Sequence, residues 1–179
     1  VHIIFLELIM GPTCSIIYEN EPMEKNTMLQ KPRPFSVTFF NWKELTTSIV
    51  QGLVITAGTL TTYQYAINSG ADEQLTRTIV FTSLIAANIL LTLVNRSFFY
   101  SLLTTIRYKN GLVLLIIGIT TLISASLIYL KPLADFFGFK SLNIPDLITS
   151  IGIGSISVVW FELYKWRTRQ QCFTSALKG

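Results

Sequence analysis

Glu7 is the residue best suited to chemistry, because it stands inside the apolar run His2–Tyr18. An ionisable group deep in an apolar helix is costly and by default indicates a functional site. One helical turn later, Pro12 cannot donate a backbone hydrogen bond and Gly11 weakens the helix. We therefore expect a helix interruption that frees backbone carbonyls. A carboxylate beside free carbonyls suits a metal cation, which makes Glu7 a candidate ligand and Gly11 a candidate carbonyl donor.

The alternative for Glu7 is a carboxyl satisfied by a neighbouring helix, without an ion. Glu7, Gly11, Ser15 and Tyr18 follow one another at spacings of four, four and three, so they share one helix face. The functional interpretation is a polar stripe along a cation path.

Asn88 is the strong polar group within the apolar segment LIAANILL. Its amide needs a partner inside hydrocarbon, so Asn88 either joins the ion site or pairs with another helix. The small-residue pairs Ser83/Ala87 and Ser150/Gly154 predict close helix packing.

The composition is that of a membrane protein. Half of the 179 residues are hydrophobic, 13% are charged, and the mean hydropathy is +0.51. Soluble domains carry roughly 25% charged residues. Apolar stretches near the roughly 20-residue length of a membrane span predict an all-α bundle of five transmembrane helices. Their predicted bounds are 2–18, 45–67, 75–94, 111–130 and 147–164.

Charge predicts the orientation of this bundle. Eleven of the fourteen Lys and Arg residues fall in or beside the segments 19–44 and 95–110 and the tail after Tyr164. The positive-inside rule places these regions, and the C-terminus, in the cytoplasm. Juxtamembrane basic residues suit anionic lipid headgroups, so we expect lipid contacts and no nucleic-acid partner. Glu162, Lys165 and Arg169 are expected to form a surface ion pair of little energetic weight.

Enzyme motifs are sparse. There is no Gly-rich phosphate loop and no nucleophile–base set, and His2 is the single histidine. The opening run has no basic flank before it and is not expected to be a signal peptide. We expect the chain to be the downstream part of a longer protein.

The segment EPMEKNTMLQKPR carries a recognisable pattern. It resembles the loop after the sixth transmembrane helix of P-type cation-transporting ATPases. The positions that match are Glu21, Pro22, Glu24, Met28, Lys31, Pro32 and Arg33. FFGFKSL and the closing WFELYKW resemble the last loop and last helix of bacterial members, and the likeness to calcium-type pumps exceeds that to heavy-metal pumps.

The resemblance implies that the chain is helices six to ten, the C-terminal transport domain of an ATP-driven pump in the plasma (inner) membrane. Its partners would be the transported cation, calcium or another, and the upstream half with the first five helices, the nucleotide site and the phosphorylated Asp. ATP and magnesium would serve the complete pump, and this chain alone should have no activity. Loop 19–44 would couple the phosphorylation domain to the membrane, although a plain tether is the alternative.

The sixth helix departs from the family pattern. Where the family offers Asn, Thr and Asp ligands, the matching positions here are Glu7, Met10 and Gly11. Glu7 keeps an oxygen ligand, whereas two side-chain oxygens are lost. The alternative function is therefore a stand-alone, non-catalytic module that packs on other membrane subunits.

Overall fold

Helices form all the regular secondary structure in residues 2–20, 42–96 and 111–176, which the computed structural model describes. The helices are α1 (His2–Glu19), α2 (Trp42–Asn68), α3 (Glu73–Asn95), α4 (Gly111–Tyr129), α5 (Lys131–Phe137) and α6 (Ile144–Ala176). The prediction of an all-α membrane protein is confirmed.

The predicted interruption of the first helix is wrong. α1 is continuous through Gly11 and Pro12, and the positive φ angles of the described residues belong to Gly70 and Gly138. Proline's fixed φ is compatible with a helix, and the cost is one backbone bond, which Pro12 cannot donate to the carbonyl of Leu8. α1 runs on past Pro12 without a break and ends at Glu19.

α2, α3 and α6 extend beyond the apolar segments that predicted them, whereas α4 (Gly111–Tyr129) ends one residue before its predicted end. α2 and α3 gain up to three residues at an end, and α6 continues from the predicted end at Tyr164 to Ala176. The sequence after Tyr164 is polar but holds neither proline nor glycine up to Ala176. Hydropathy marks only the part of a helix that suits hydrocarbon, whereas helix formation continues until a breaker occurs.

A short helix, α5, occupies part of the segment expected to be a loop. Pro132 stands in its first turn, and Gly138 ends it in the left-handed conformation at φ 63°. These are common start and stop signals for a helix. Phe137 and Phe139 are buried against Phe81 of α3, so the segment packs on the bundle.

α3 lies at the centre and packs most extensively on α6, while α2 packs on both of these helices. A Cβ on Gly154 of α6 would overlap the backbone carbonyl of Ser83, and one on Gly58 of α2 would lie 2.8 Å from the Ser157 Cβ. Small residues therefore bring the backbones together, as the Ser83/Ala87 and Ser150/Gly154 pairs predicted.

The bundle buries hydroxyls and exposes large apolar side chains. Thr62, Thr78 and Ser150 are fully buried, whereas Leu114 and Ile156 are mainly exposed. Such a distribution suits hydrocarbon surroundings. In the described part of the chain, three helical segments are long and apolar enough to cross a membrane, namely Glu73–Asn95, Leu112–Tyr129 and Ile144–Arg167. Spanning by α1 and α2 stays a prediction.

Candidate ion-binding cleft

A cleft of about 950 Å³ opens between α1, the end of α2 and α3. Glu7 lines it from α1 and Tyr63 from α2, and the α3 wall runs from Glu73 to Asn88. At 1.5 Å per residue, this wall is about 22 Å long. Two of the three predicted ion ligands, Glu7 and Asn88, thus share one cavity.

α1 packs on both α3 and α4. Leu6, the neighbour of Glu7, packs against the cluster that contains Phe81 and Ile85. Farther along, Cys14 Sγ lies 3.0 Å from Thr92 Oγ1, and the Tyr18 hydroxyl donates to the Thr92 carbonyl at 3.5 Å. These contacts fix how α1 is rotated and shifted against α3. In that position, Glu7 lines the cleft.

The polar stripe of α1 is open except at the Tyr18 hydroxyl, which contacts α3. Glu7, Gly11, Ser15 and Tyr18 are all exposed, and no heavy atom lies within 4 Å of a Cβ built on Gly11. Gly11 is absent from the residues that line the cleft in the described part of the chain. The structure thus brings Glu7 and Asn88 together and leaves Gly11 outside their cavity.

Charged residues cluster at the α2–α3 end of the cleft. Arg77 donates to Glu73 Oε1 at 2.7 Å, and both residues line the cleft. Nearby, Lys140 donates to Asp72 Oδ2 at 2.7 Å. The hydrogen bonds from Lys140 and from the Leu75 N–H lower the pKa of Asp72 below its ordinary value.

Few of the ligands that a bound metal requires come from the described residues. Among residues 2–20, 42–96 and 111–176, no three His, Cys, Asp or Glu residues come together. A calcium ion takes six to eight oxygen ligands. Glu7 and Asn88 supply at most three side-chain oxygens toward that number.

The coupling-loop residues lie outside the described residues. This applies to Glu21, Pro22, Glu24, Met28, Lys31, Pro32 and Arg33. Their role stays a prediction.

Lys165 is not the surface residue that the sequence predicted. It is 3% exposed, and its ammonium donates to the Val94 carbonyl and, at 3.1 Å, to Glu162 Oε1. It also lies 5.4 Å from the centroid of the Phe161 ring. The ammonium therefore supplies a donor to a carbonyl at the end of α3, where the helix has no N–H left to offer.

A second polar pair near this end escaped the sequence analysis. Gln51 of α2 donates to Asn95 Oδ1 at 3.1 Å, and Asn95 donates back to Gln51 Oε1 at 3.4 Å. Gln51 itself could have indicated the pair, because the amide of a glutamine inside a predicted transmembrane helix needs a hydrogen-bond partner.

Most of the chain matches one protein family. The family described as "Cation transporting ATPase, C-terminus" matches residues 1–167. The chain belongs to this family. Comparison with curated proteins gives no match.

Membership of the cation-transporting ATPase C-terminal family confirms the resemblance at the level of P-type cation pumps. Together with the apolar helices, it makes the chain a multi-pass membrane domain of a cation-transporting ATPase. The calcium-type and bacterial assignments stay predictions.

Proposed function

We propose that the cleft between α1, α2 and α3 forms part of the intramembrane cation path of an ATP-driven pump. Glu7 is the charged ligand and Asn88 a neutral oxygen ligand. The observation that carries the proposal is that these two residues, 81 positions apart in the chain, line one cavity.

Charge balance supports this assignment. Glu7 is a lone acid in an otherwise apolar stretch of α1, and a carboxylate held at membrane depth is costly without a compensating charge. A cation in the cleft supplies that charge during transport. Asn88 is half-buried on the opposite wall, where its carbonyl oxygen is available to the same ion.

The ligands that are still needed would come from the upstream half of the pump. The polar face of α1 is open beside the cleft, so helices from that half have room to approach Glu7. We assign calcium as the first candidate cargo, because hard oxygen donors suit it. ATP hydrolysis, with magnesium, would occur in the upstream domains.

We further propose that loop 19–44 transmits the phosphorylation state to α1. The loop follows directly on the helix that carries Glu7. Its three prolines limit backbone freedom, which suits a stiff connection between two moving parts.

The experiment is ATP hydrolysis by the complete pump as a function of Ca²⁺ concentration, with Glu7→Gln. The variant keeps the size of the side chain but removes its charge. We expect at least a tenfold loss of apparent affinity, equivalent to about 1.4 kcal/mol. Asn88→Ala should give a smaller loss, because it removes a neutral donor.

Asp135→Asn is the matched control. Asp135 is an exposed acid of α5 and does not line the cleft, so its variant should retain the wild-type Ca²⁺ dependence. Unchanged affinity and turnover in Glu7→Gln would remove Glu7 from the ion path. A pump without cation-stimulated hydrolysis would favour the alternative, a non-catalytic membrane module.

A further inference from the structure

Thr120 departs from the behaviour of most helical threonines in this bundle. Nine other threonines in the described helices donate their hydroxyl to the carbonyl four residues earlier at 2.8–2.9 Å. Thr120 is 3% exposed, yet no described residue bonds its hydroxyl. A buried hydroxyl without a partner is costly, because it has lost its bonds to water.

A small cavity lies beside this hydroxyl, between α1, α3 and α4. Its volume is about 10 Å³, and Cys14, Thr92 and Thr120 are the residues with polar groups among those that line it, together with Met10 of α1. The remaining lining is isoleucine and leucine. A volume of roughly 10–15 Å³ is the least that holds one water molecule.

We propose that this cavity binds one ordered water molecule. The water accepts from, or donates to, Thr120 Oγ1 and bonds across the cavity to the Thr92 hydroxyl and the Cys14 thiol, which are 3.0 Å apart. Two to four polar partners are what a buried water requires. The site completes the hydrogen bonding of Thr120.

The water bridges α4 to α1 and α3. Thr92 Oγ1 also donates to the Asn88 carbonyl at 2.9 Å, so the bridge lies one turn from a residue of the cleft. The site is independent of ion binding, because none of its three polar groups lines the cleft.

Thr120→Val tests the proposal, since valine keeps the shape and removes the hydroxyl. If water is bound, the full-length protein in detergent loses a bridge, and its thermal midpoint falls. Thr121→Val is the matched control, because Thr121 is the exposed neighbour and its midpoint should not change. An equal or higher midpoint for Thr120→Val overturns the proposal, because removal of an unsatisfied hydroxyl is neutral or favourable.

X-ray radiolytic labelling locates the water directly. Radicals generated from a bound water oxidise the sulfur atoms next to it, so Cys14 and Met10 should be labelled in the wild-type protein. That labelling should be reduced in Thr120→Val and unchanged in Thr121→Val. An absence of Cys14 and Met10 oxidation in the wild-type protein would show that the cavity is dry.

Discussion

Asp72 joins two parts of the chain at the turn between α2 and α3. Its Oδ1 accepts the Leu75 N–H at 3.0 Å and so caps α3, while Oδ2 accepts the Lys140 ammonium at 2.7 Å. Both bonds favour the ionised carboxylate and lower the pKa of Asp72. The turn is therefore stabilised only while Asp72 is charged.

This gives a pH dependence with a definite sign. A lowered pKa contributes stability that is fully present above the ordinary value of 3.8 and is lost as the pH falls through the lower, folded value. Wild type should have a higher thermal midpoint than Asp72→Asn at pH 6, and the difference should close below pH 3.8. The measurement is the midpoint of both proteins across that range.

Lys140→Met serves as the control, because it removes the bond from Lys140 to Asp72 and keeps the bond from the Leu75 N–H. In a Lys140→Met protein, the further change Asp72→Asn should lower the thermal midpoint at pH 6 by less than it does in the wild type. A wild-type advantage that persists unchanged well below pH 3.8 would contradict the assignment.

Residue environments were the hardest feature to predict. Glu7 and Asn88 were recognisable because a polar group in an apolar helix stands out within a few neighbouring residues. Lys165 was not, because its burial depends on the Val94 carbonyl, 71 positions away. The sequence shows a lysine three residues after Glu162. A buried ion pair and an exposed ion pair have that same spacing, so the sequence does not distinguish them.

At the scale of elements, the α3–α6 contact holds the bundle together. Gly154 lies against the backbone of Ser83, and Thr62 of α2 reaches the Ser83 hydroxyl at 3.2 Å. Backbones that approach this closely gain dispersion energy and exclude lipid from the contact.

Gly154→Ala should destabilise the bundle, because the new methyl group overlaps the Ser83 carbonyl. Overpacking of this kind costs about 1–3 kcal/mol. Gly152→Ala is the matched control, since nothing lies within 4 Å of its Cβ, and alanine favours a helix by up to about 1 kcal/mol. Unfolding in mixed micelles measures both, and equal stability of the two variants would show that α3 and α6 are not in tight contact.

Helix existence was predictable, whereas helix ends and continuity were not. Long apolar stretches identified the five long helices, and the small-residue pairs identified the contact between α3 and α6. Pro12 signalled an interruption that the helix does not have, because one missing bond is tolerated. α5 was overlooked although Pro132 and Gly138 bracket it, because seven residues are too few for a helical period to appear.

At the scale of the whole molecule, the charge distribution predicts a cytoplasmic C-terminus. Lys140 lies just before the candidate span Ile144–Arg167, and Arg167 is its last residue. Both residues are exposed. Their side chains should therefore face opposite sides of the membrane.

Single cysteines at these positions test the topology. In a protein with Cys14 and Cys172 replaced by serine, Lys140→Cys should react with an impermeant maleimide in right-side-out vesicles. Arg167→Cys should react in inside-out vesicles. Reaction of both from the same side would exclude α6 as a membrane span, and the reversed pattern would invert the predicted orientation.

The order of α3 and α6 along the chain has a consequence for biosynthesis. α3 ends at Asn95, and α6 begins only at Ile144. During translation, α3 is therefore in place, with Ser83 already within reach of Thr62 of α2, before Gly154 has been synthesised. A chain that stops before α6 lacks Gly154, so the backbone of α3 at Ser83 is left without that contact.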